Sequence, residues 1–210
     1  MNYSEFKNKV LNLPYITSKD LTIFKDNKQI IRNQLTRWEN KGLIIKLKRG
    51  VYLLNENDRK INPSRTFLAN QLYSPSYVSL EYALNFYDLI PERVFDITSV
   101  TTRKTRTITN KLGEFVYRKI KADAYRGFQS LNDEAGLEYF IAFPEKAIVD
   151  FFFLNMGKFE KIEKDIFTSS FRFQNVDILN EAKLLRFVEL FKNKKLERII
   201  KVFVNFIKGK

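Results

Sequence analysis

Between Asp26 and Leu54 the chain reads DNKQIIRNQLTRWENKGLIIKLKRGVYLL, and no other stretch limits the fold as tightly. Ile31, Leu35 and Trp38 recur at spacings of four and three. That puts them on one face of a helix over about Lys28 to Lys41, with Ile30 and Gln34 on its shoulder. Gln29, Arg32, Asn33, Thr36 and Asn40 fall on the opposite face, with Arg37 to one side. Gly42 is a helix terminator. Leu43 to Leu47 and Val51 to Leu54 are β-rich runs joined through Gly50, a pattern that predicts a hairpin with Lys48-Arg49-Gly50 at its tip. A polar helix and then a basic-tipped hairpin is the order of a winged helix-turn-helix, whose second helix enters the major groove.

The flanking residues fit that order. A first helix is expected over Ser4 to Leu11. Thr17-Ser18-Lys19-Asp20 is a capping-box pattern that opens a second helix from Ser18 to Phe24. Lys25-Asp26-Asn27 is a polar turn in which Asp26 or Asn27 caps the third helix. Asn55 to Lys60 holds no apolar residue and reads as a linker, so the expected division is residues 1–58 and residues 59–210. In the second part the pattern predicts a helix opened by Asn62-Pro63, a short strand at Tyr77-Val78 and a helix from Ser79 to Tyr87. Strands are expected at Val94 to Thr101, Thr105 to Thr109, Phe115 to Ile120 and Leu137 to Ala142. A helix opened by Pro144 and a helical tail after Asn180 complete it. The fold class is therefore α+β: an N-terminal winged helix-turn-helix, then a mixed α+β domain with a C-terminal helical tail.

Charge is uneven along the chain. Residues 1–60 hold 13 Lys/Arg against 6 Asp/Glu, residues 61–180 hold 15 of each, and residues 181–210 hold 9 against 3. Basic ends around a neutral body favour a polyanionic partner. The chain has no Cys and no His, which removes thiolate metal sites, disulfides and the commonest general base. No cofactor is expected. MNYSEFKNKV lacks a signal-peptide apolar core, and no apolar run reaches the roughly 20 residues of a membrane span. A cytoplasmic protein with no membrane partner is expected.

Arg32 and Arg37 can fork onto guanine, and Gln29 and Asn33 can pair with adenine. Lys28 and Thr36 complete the helical part of the expected DNA-binding set. Lys46, Lys48 and Arg49 on the wing can neutralise phosphates, which adds affinity without sequence information. The competing reading is an ordinary solvated helix on a small α+β domain. Trp38 belongs to the core, because it shares a face with Ile31 and Leu35. Further on, SVTTRKTR (Ser99 to Arg106) is dense in hydroxyls and cations; it is either a clamp for a phosphate or RNA backbone, or a solvated loop between strands. Glu145 and Asp150 near a helix start suit the helix dipole. Asp96, Glu114 and Lys119 leave open a carboxylate-based, magnesium-dependent nuclease.

Three blocks carry a family resemblance. LTRWENKGLIIKLKRGVYLL (Leu35 to Leu54) is similar to the end of a winged-helix module. SPSYVSLEYALNFYDLIPE and DITSVTTRKTR (Ser74 to Glu92, Asp96 to Arg106) resemble the centre of a second domain. FPEKAIVDFFFL (Phe143 to Leu154) resembles a Pro-Glu-Lys-Ala helix start. The family is the AbiEi-type antitoxins of type IV toxin–antitoxin systems, also described as predicted transcriptional regulators of viral defence systems. Phe143 departs from its pattern, which has a small or capping residue there. The resemblance implies a non-enzymatic antitoxin and autorepressor in phage defence by abortive infection. Its N-terminal module would bind inverted repeats in its own promoter. Its second domain would counter a nucleotidyltransferase toxin, with or without a stable complex. The resemblance also implies Ser79, Glu81, Thr101, Thr102, Arg103, Lys104 and Arg106 as residues of the antitoxin face.

Overall fold

A computed structural model of the chain describes residues 2–24, 27–159 and 165–209. The fold is α+β, with two β-sheets. The first helix, α1 (Tyr3–Val10), starts at Asn2, whose side chain accepts from the Glu5 amide while the Glu5 carboxylate accepts from the Asn2 amide. This reciprocal pair satisfies two otherwise free donors. A two-residue strand, β1 (Ile16–Thr17), follows. The expected second helix over Ser18 to Phe24 is only a 3-10 turn, Asp20–Ile23. The Thr17–Asp20 cap forms, with the Thr17 amide and hydroxyl both donating to Asp20 Oδ2 at 2.7 Å. But Thr17 is already paired in β1, and Phe24 is extended so that its ring can pack on Phe6 at 5.6 Å. Too few residues lie between those two anchors for an α-helix to propagate.

The next helix, α2 (Lys28–Asn40), is capped by Asn27, whose side chain accepts from the Gln29 amide at 2.8 Å. The alternative caps at Asp26 and the turn at Lys25 lie outside the described residues. Gly42 takes φ +71° and lets the chain turn into β2 (Ile44–Lys48), which pairs antiparallel with β3 (Val51–Leu54). Since β1 also pairs with β3, the sheet order is β1-β3-β2. Phe6, Val10, Ile16, Phe24, Ile31, Leu35, Trp38, Ile44 and Leu54 form one buried cluster under this sheet.

The rest of the chain surrounds a larger cluster, into which Leu47 and Leu53 of the hairpin also project. Its scaffold is a six-stranded mixed sheet built from β4 (Ser76–Val78), β5 (Ile97–Thr101), β6 (Arg106–Asn110), β7 (Gly113–Lys119), β8 (Phe128–Asn132) and β9 (Glu138–Ala142). The strand order is β6-β7-β5-β4-β9-β8. The β5/β7 and β4/β9 pairs are parallel and the others antiparallel. The sequence pattern does not predict β8, an edge strand with no fully buried side chain. The helix expected from Asn62-Pro63 starts later, as α3 (Arg65–Leu72), because Ser64 is its cap. Two more helices, α4 (Leu80–Phe86) and α5 (Pro144–Leu154), pack against each other. The tail is two helices, α6 (Glu181–Glu189) and α7 (Lys194–Ile207), capped by Asn180 and Asn193 and packed on α5.

Candidate nucleic-acid interface

The surface of interest starts with how α2 is held. Its apolar side is sealed: Trp38 is 5% exposed, with its ring 4.7 Å from Phe6 and 5.5 Å from Tyr3. The helix therefore has one possible outward face, and Gln29, Arg32, Asn33, Thr36 and Arg37 are all exposed on it. Gln29 Nε2 donates to Asn33 Oδ1 at 3.1 Å, and the Thr36 hydroxyl donates to the Arg32 carbonyl at 3.1 Å. The Lys28 side chain lies outside the described residues.

The hairpin stands across a cleft of about 640 Å³ from this face. Arg32, Leu35 and Thr36 line it from α2, Lys46, Arg49, Gly50 and Tyr52 from the hairpin, Thr22 from the 3-10 turn and Ser18 from just before it. Gly50 is required at the tip. It takes φ +77°, and a Cβ there would lie 2.5 Å from Ser18 Oγ. The Ser18 amide donates to the Gly50 carbonyl at 2.9 Å, so the wing is pinned to the turn before α2. Arg32, Arg37, Lys46 and Arg49 have no ion pair among the described residues.

Lys48 does not join this set, which corrects its expected role on the wing. Lys46 lies opposite Tyr52, yet Lys48 lies opposite Val51, because a bulge at Leu47 shifts the register. Tyr52 and Val51 are adjacent and so point to opposite faces. The bulge thereby sends Lys46 and Lys48 to opposite faces, where simple alternation would keep them together. Lys48 is half-buried, and its ammonium donates to the Leu72 carbonyl. Burial, and then the nearby Arg106 and Arg103 charges, push its pKa down.

Neither a known protein-family model nor a curated protein matches this chain.

Of the seven residues expected on one antitoxin face, two lie in the interior. Ser79 and Thr101 are fully buried. Ser79 Oγ donates to Asp150 Oδ2 at 2.9 Å, and Thr101 Oγ1 donates to the Pro75 carbonyl at 2.7 Å. Glu81 and Thr102 are partly buried, whereas Arg103, Lys104 and Arg106 are exposed. The Ser79 amide bonds the Thr98 carbonyl near the start of β5, while Thr102 to Arg106 follow its other end. Those ends are about 13 Å apart at ~3.3 Å per residue. Both buried hydroxyls are spent on holding backbone and core.

Sequence reasoning also missed a sealed polar network. Lys146 and Asp150, one turn apart on α5, form an ion pair with both side chains fully buried. The Tyr77 hydroxyl donates to Asp150 Oδ2 at 2.8 Å, and the Lys146 ammonium donates to that hydroxyl oxygen at 2.9 Å. Burial pushes the Asp150 carboxyl up and the Lys146 ammonium down, against their mutual attraction. Asp150 is thus a tertiary anchor and does not serve the helix dipole. The i, i+4 spacing was visible in the sequence; Tyr77, 69 residues before Lys146, was not a signal. Phe143, before Pro144, makes no side-chain cap; its ring takes the Lys183 ammonium at 5.4 Å.

Of the nuclease reading, Lys119 stands apart from the two acids. Asp96 and Glu114 are exposed at the same end of β5 and β7, but Lys119 ends β7 five residues on. No group of three or more carboxylates able to hold a metal occurs among the described residues. Among them, no helix is long and apolar enough to cross a membrane.

Proposed function

We propose that the N-terminal unit is a winged helix-turn-helix that binds duplex DNA. We further propose that the chain is the autorepressor and antitoxin of a type IV abortive-infection system, acting without catalysis. The observation that carries the DNA reading is the shared cleft: Arg32 and Thr36 of α2 face Lys46 and Arg49 of the hairpin across it, with no acid paired to the cations among the described residues. The element order α1, β1, 3-10 turn, α2, β2, β3 and the sheet order β1-β3-β2 support the same reading. In it, α2 enters the major groove, Arg32, Arg37, Gln29 and Asn33 read base edges, and Lys46 and Arg49 hold the flanking phosphates. The antitoxin half is supported by the resemblance of Ser74 to Arg106 and Phe143 to Leu154, and its partner would be a nucleotidyltransferase toxin.

A gel shift with duplex from the chain's own upstream region, at two salt concentrations, tests the repressor. Tighter binding there than to shuffled duplex is expected, weakening steeply with salt. Equal binding to both duplexes removes the autorepressor reading. Co-expression with any nucleotidyltransferase encoded beside it tests the antitoxin: growth should recover, and continued arrest, or the lack of such a neighbour, removes that half.

A further inference from the structure

We propose that β8 is a docking edge for a second copy of this chain, which pairs antiparallel through its own β8 about a two-fold axis at Ser130. The site lies at the other end of the six-stranded sheet from the hairpin and stands apart from the DNA-binding reading.

The two edges of that sheet are finished differently. β6 carries Arg106, and Asn110 Nδ2 donates to the Leu47 carbonyl at 3.0 Å, which fastens that edge to the hairpin. β8 has none of the devices that keep an edge strand from pairing. Its residues, Phe128-Gln129-Ser130-Leu131-Asn132, include no charge and no proline, and its register with β9 runs without a bulge. The chain carries a net charge of +13, so two copies repel over most of their surface and meet most easily where it is neutral.

The outward backbone groups follow from the ladder. The Phe143 amide donates to the Gly127 carbonyl at 3.0 Å, and the Asp133 amide donates to the Leu137 carbonyl at 2.9 Å. Positions 127 and 133 therefore turn their bonds toward β9. Bonding alternates along an antiparallel strand, so positions 129 and 131 turn the same way. Phe128, Ser130 and Asn132 are left aiming their N–H and C=O groups away from the sheet, with no other backbone partner among the described residues.

That spacing is self-complementary. An antiparallel copy centred on Ser130 sets Ser130 against its own counterpart, and Phe128 against Asn132 of the second copy. All three are outward-bonding positions, so each pair can exchange both of its backbone bonds. The same register carries exposed Arg126 toward exposed Glu134 of the second copy at each end, which gives the contact charge complementarity. Apolar surface lies beside it. Phe140, across from Ser130 on β9, is 38% exposed, and its ring meets that of Phe128 at 5.6 Å. Phe128 is held in turn by Tyr77, 4.7 Å away. The Ser130 pair is small enough for the two Phe140 rings to lean toward the axis from either side.

Sedimentation equilibrium of the full chain, without DNA, tests the pairing. The average mass should rise from 25.0 kDa toward twice that value between ~10 µM and ~1 mM, because so small a contact binds weakly. Ser130→Pro removes an N–H that the sheet does not use, and Ser130→Lys sets two like charges together on the axis. Both should stay at 25.0 kDa with melting temperatures near wild type. The chain has no cysteine, so single cysteines report the register. Ser130→Cys should cross-link to a dimer under mild oxidation, since a bonded pair holds its Cα atoms about 5.5 Å apart, within disulfide range. Gln129→Cys should not, because position 129 meets Leu131 of the second copy. A wild type that stays monomeric to ~1 mM, which would leave the edge to a strand of another protein, overturns the proposal. So does a mass that rises equally in Ser130→Lys, or equal cross-linking at positions 129 and 130. None of these measurements involves DNA, so the pairing and the DNA-binding reading fail separately.

Discussion

Lys146 and the cations of the wing show two opposite ways of placing positive charge. Lys146 is fully buried, and it has a carboxylate, a hydroxyl and the Phe191 ring at 4.9 Å. Arg32, Lys46 and Arg49 are exposed and form no ion pair among the described residues. A buried charge must be compensated inside the chain, because desolvation costs several kcal/mol per ion. A surface charge need not be: water solvates it, and unpaired it stays available to an anionic partner. The comparison separates structural cations from those proposed for binding by what surrounds them, where residue type alone does not.

The strongest way to break it is at the compensated end. Asp150→Ala leaves Lys146 buried without its acid and removes the acceptor of Tyr77 and Ser79. A loss of about 3–5 kcal/mol in urea unfolding is expected. The double variant K146M/D150L should recover only the part due to the unpaired ammonium, because the Tyr77 and Ser79 hydroxyls still lack their acceptor. A single variant as stable as wild type would mean that the network holds nothing. At the uncompensated end, Arg32→Ala should leave the fold alone and cost about 1–3 kcal/mol of discrimination between the operator and a base-substituted duplex. Arg49→Ala should weaken all duplexes alike and lower the salt slope by about 1. Competition binding checks both, and equal behaviour of the two would erase the division between reading and gripping residues.

The hairpin sharpens the comparison because it serves both regions. Gly50→Ala forces a side chain into a left-handed backbone, at about 1–2 kcal/mol, and into Ser18 Oγ. Ser18→Ala added to it should relieve the clash and leave the backbone part, measurable as a partial recovery of melting temperature and of DNA affinity. Unchanged affinity in Gly50→Ala would say that the wing's position does not matter to binding.

Legibility followed the same line. The exposed face of α2 was readable because Ile31, Leu35 and Trp38 fix which side is buried, and the hairpin because glycine separates two β-rich runs. Lys48 was not readable: its face depends on a bulge at Leu47, and a one-residue slip inverts every side chain beyond it. Ser79 and Thr101 look like surface hydroxyls in the sequence and are buried only because β4 and β5 are interior strands. The second helix failed for a local reason, since the cap was right but the strand before it and the buried Phe24 after it left one turn of space. The six-stranded order was out of reach, because β4 pairs in parallel with a strand more than sixty residues away.

The smallest effect expected concerns a carboxylate between these extremes. Asp58, partly buried after the hairpin, accepts from Lys7 Nζ at 2.8 Å and from the Tyr3 hydroxyl at 2.7 Å. The hydrogen bond from Lys7, then that from Tyr3, holds its carboxyl below the ordinary value of 3.8. A lowered folded-state value means that the stability Asp58 contributes is complete above the unfolded value and is lost as pH falls through the folded one. Wild type should therefore lose stability between about pH 5 and pH 3 more steeply than Asp58→Asn, which has no such proton to take up. Because Lys7 is about a third exposed, solvent screens the pair and the difference should be modest. Urea midpoints at the two pH values measure it, and parallel losses in both proteins would show that Asp58 ties α1 to the linker by shape alone, without its charge.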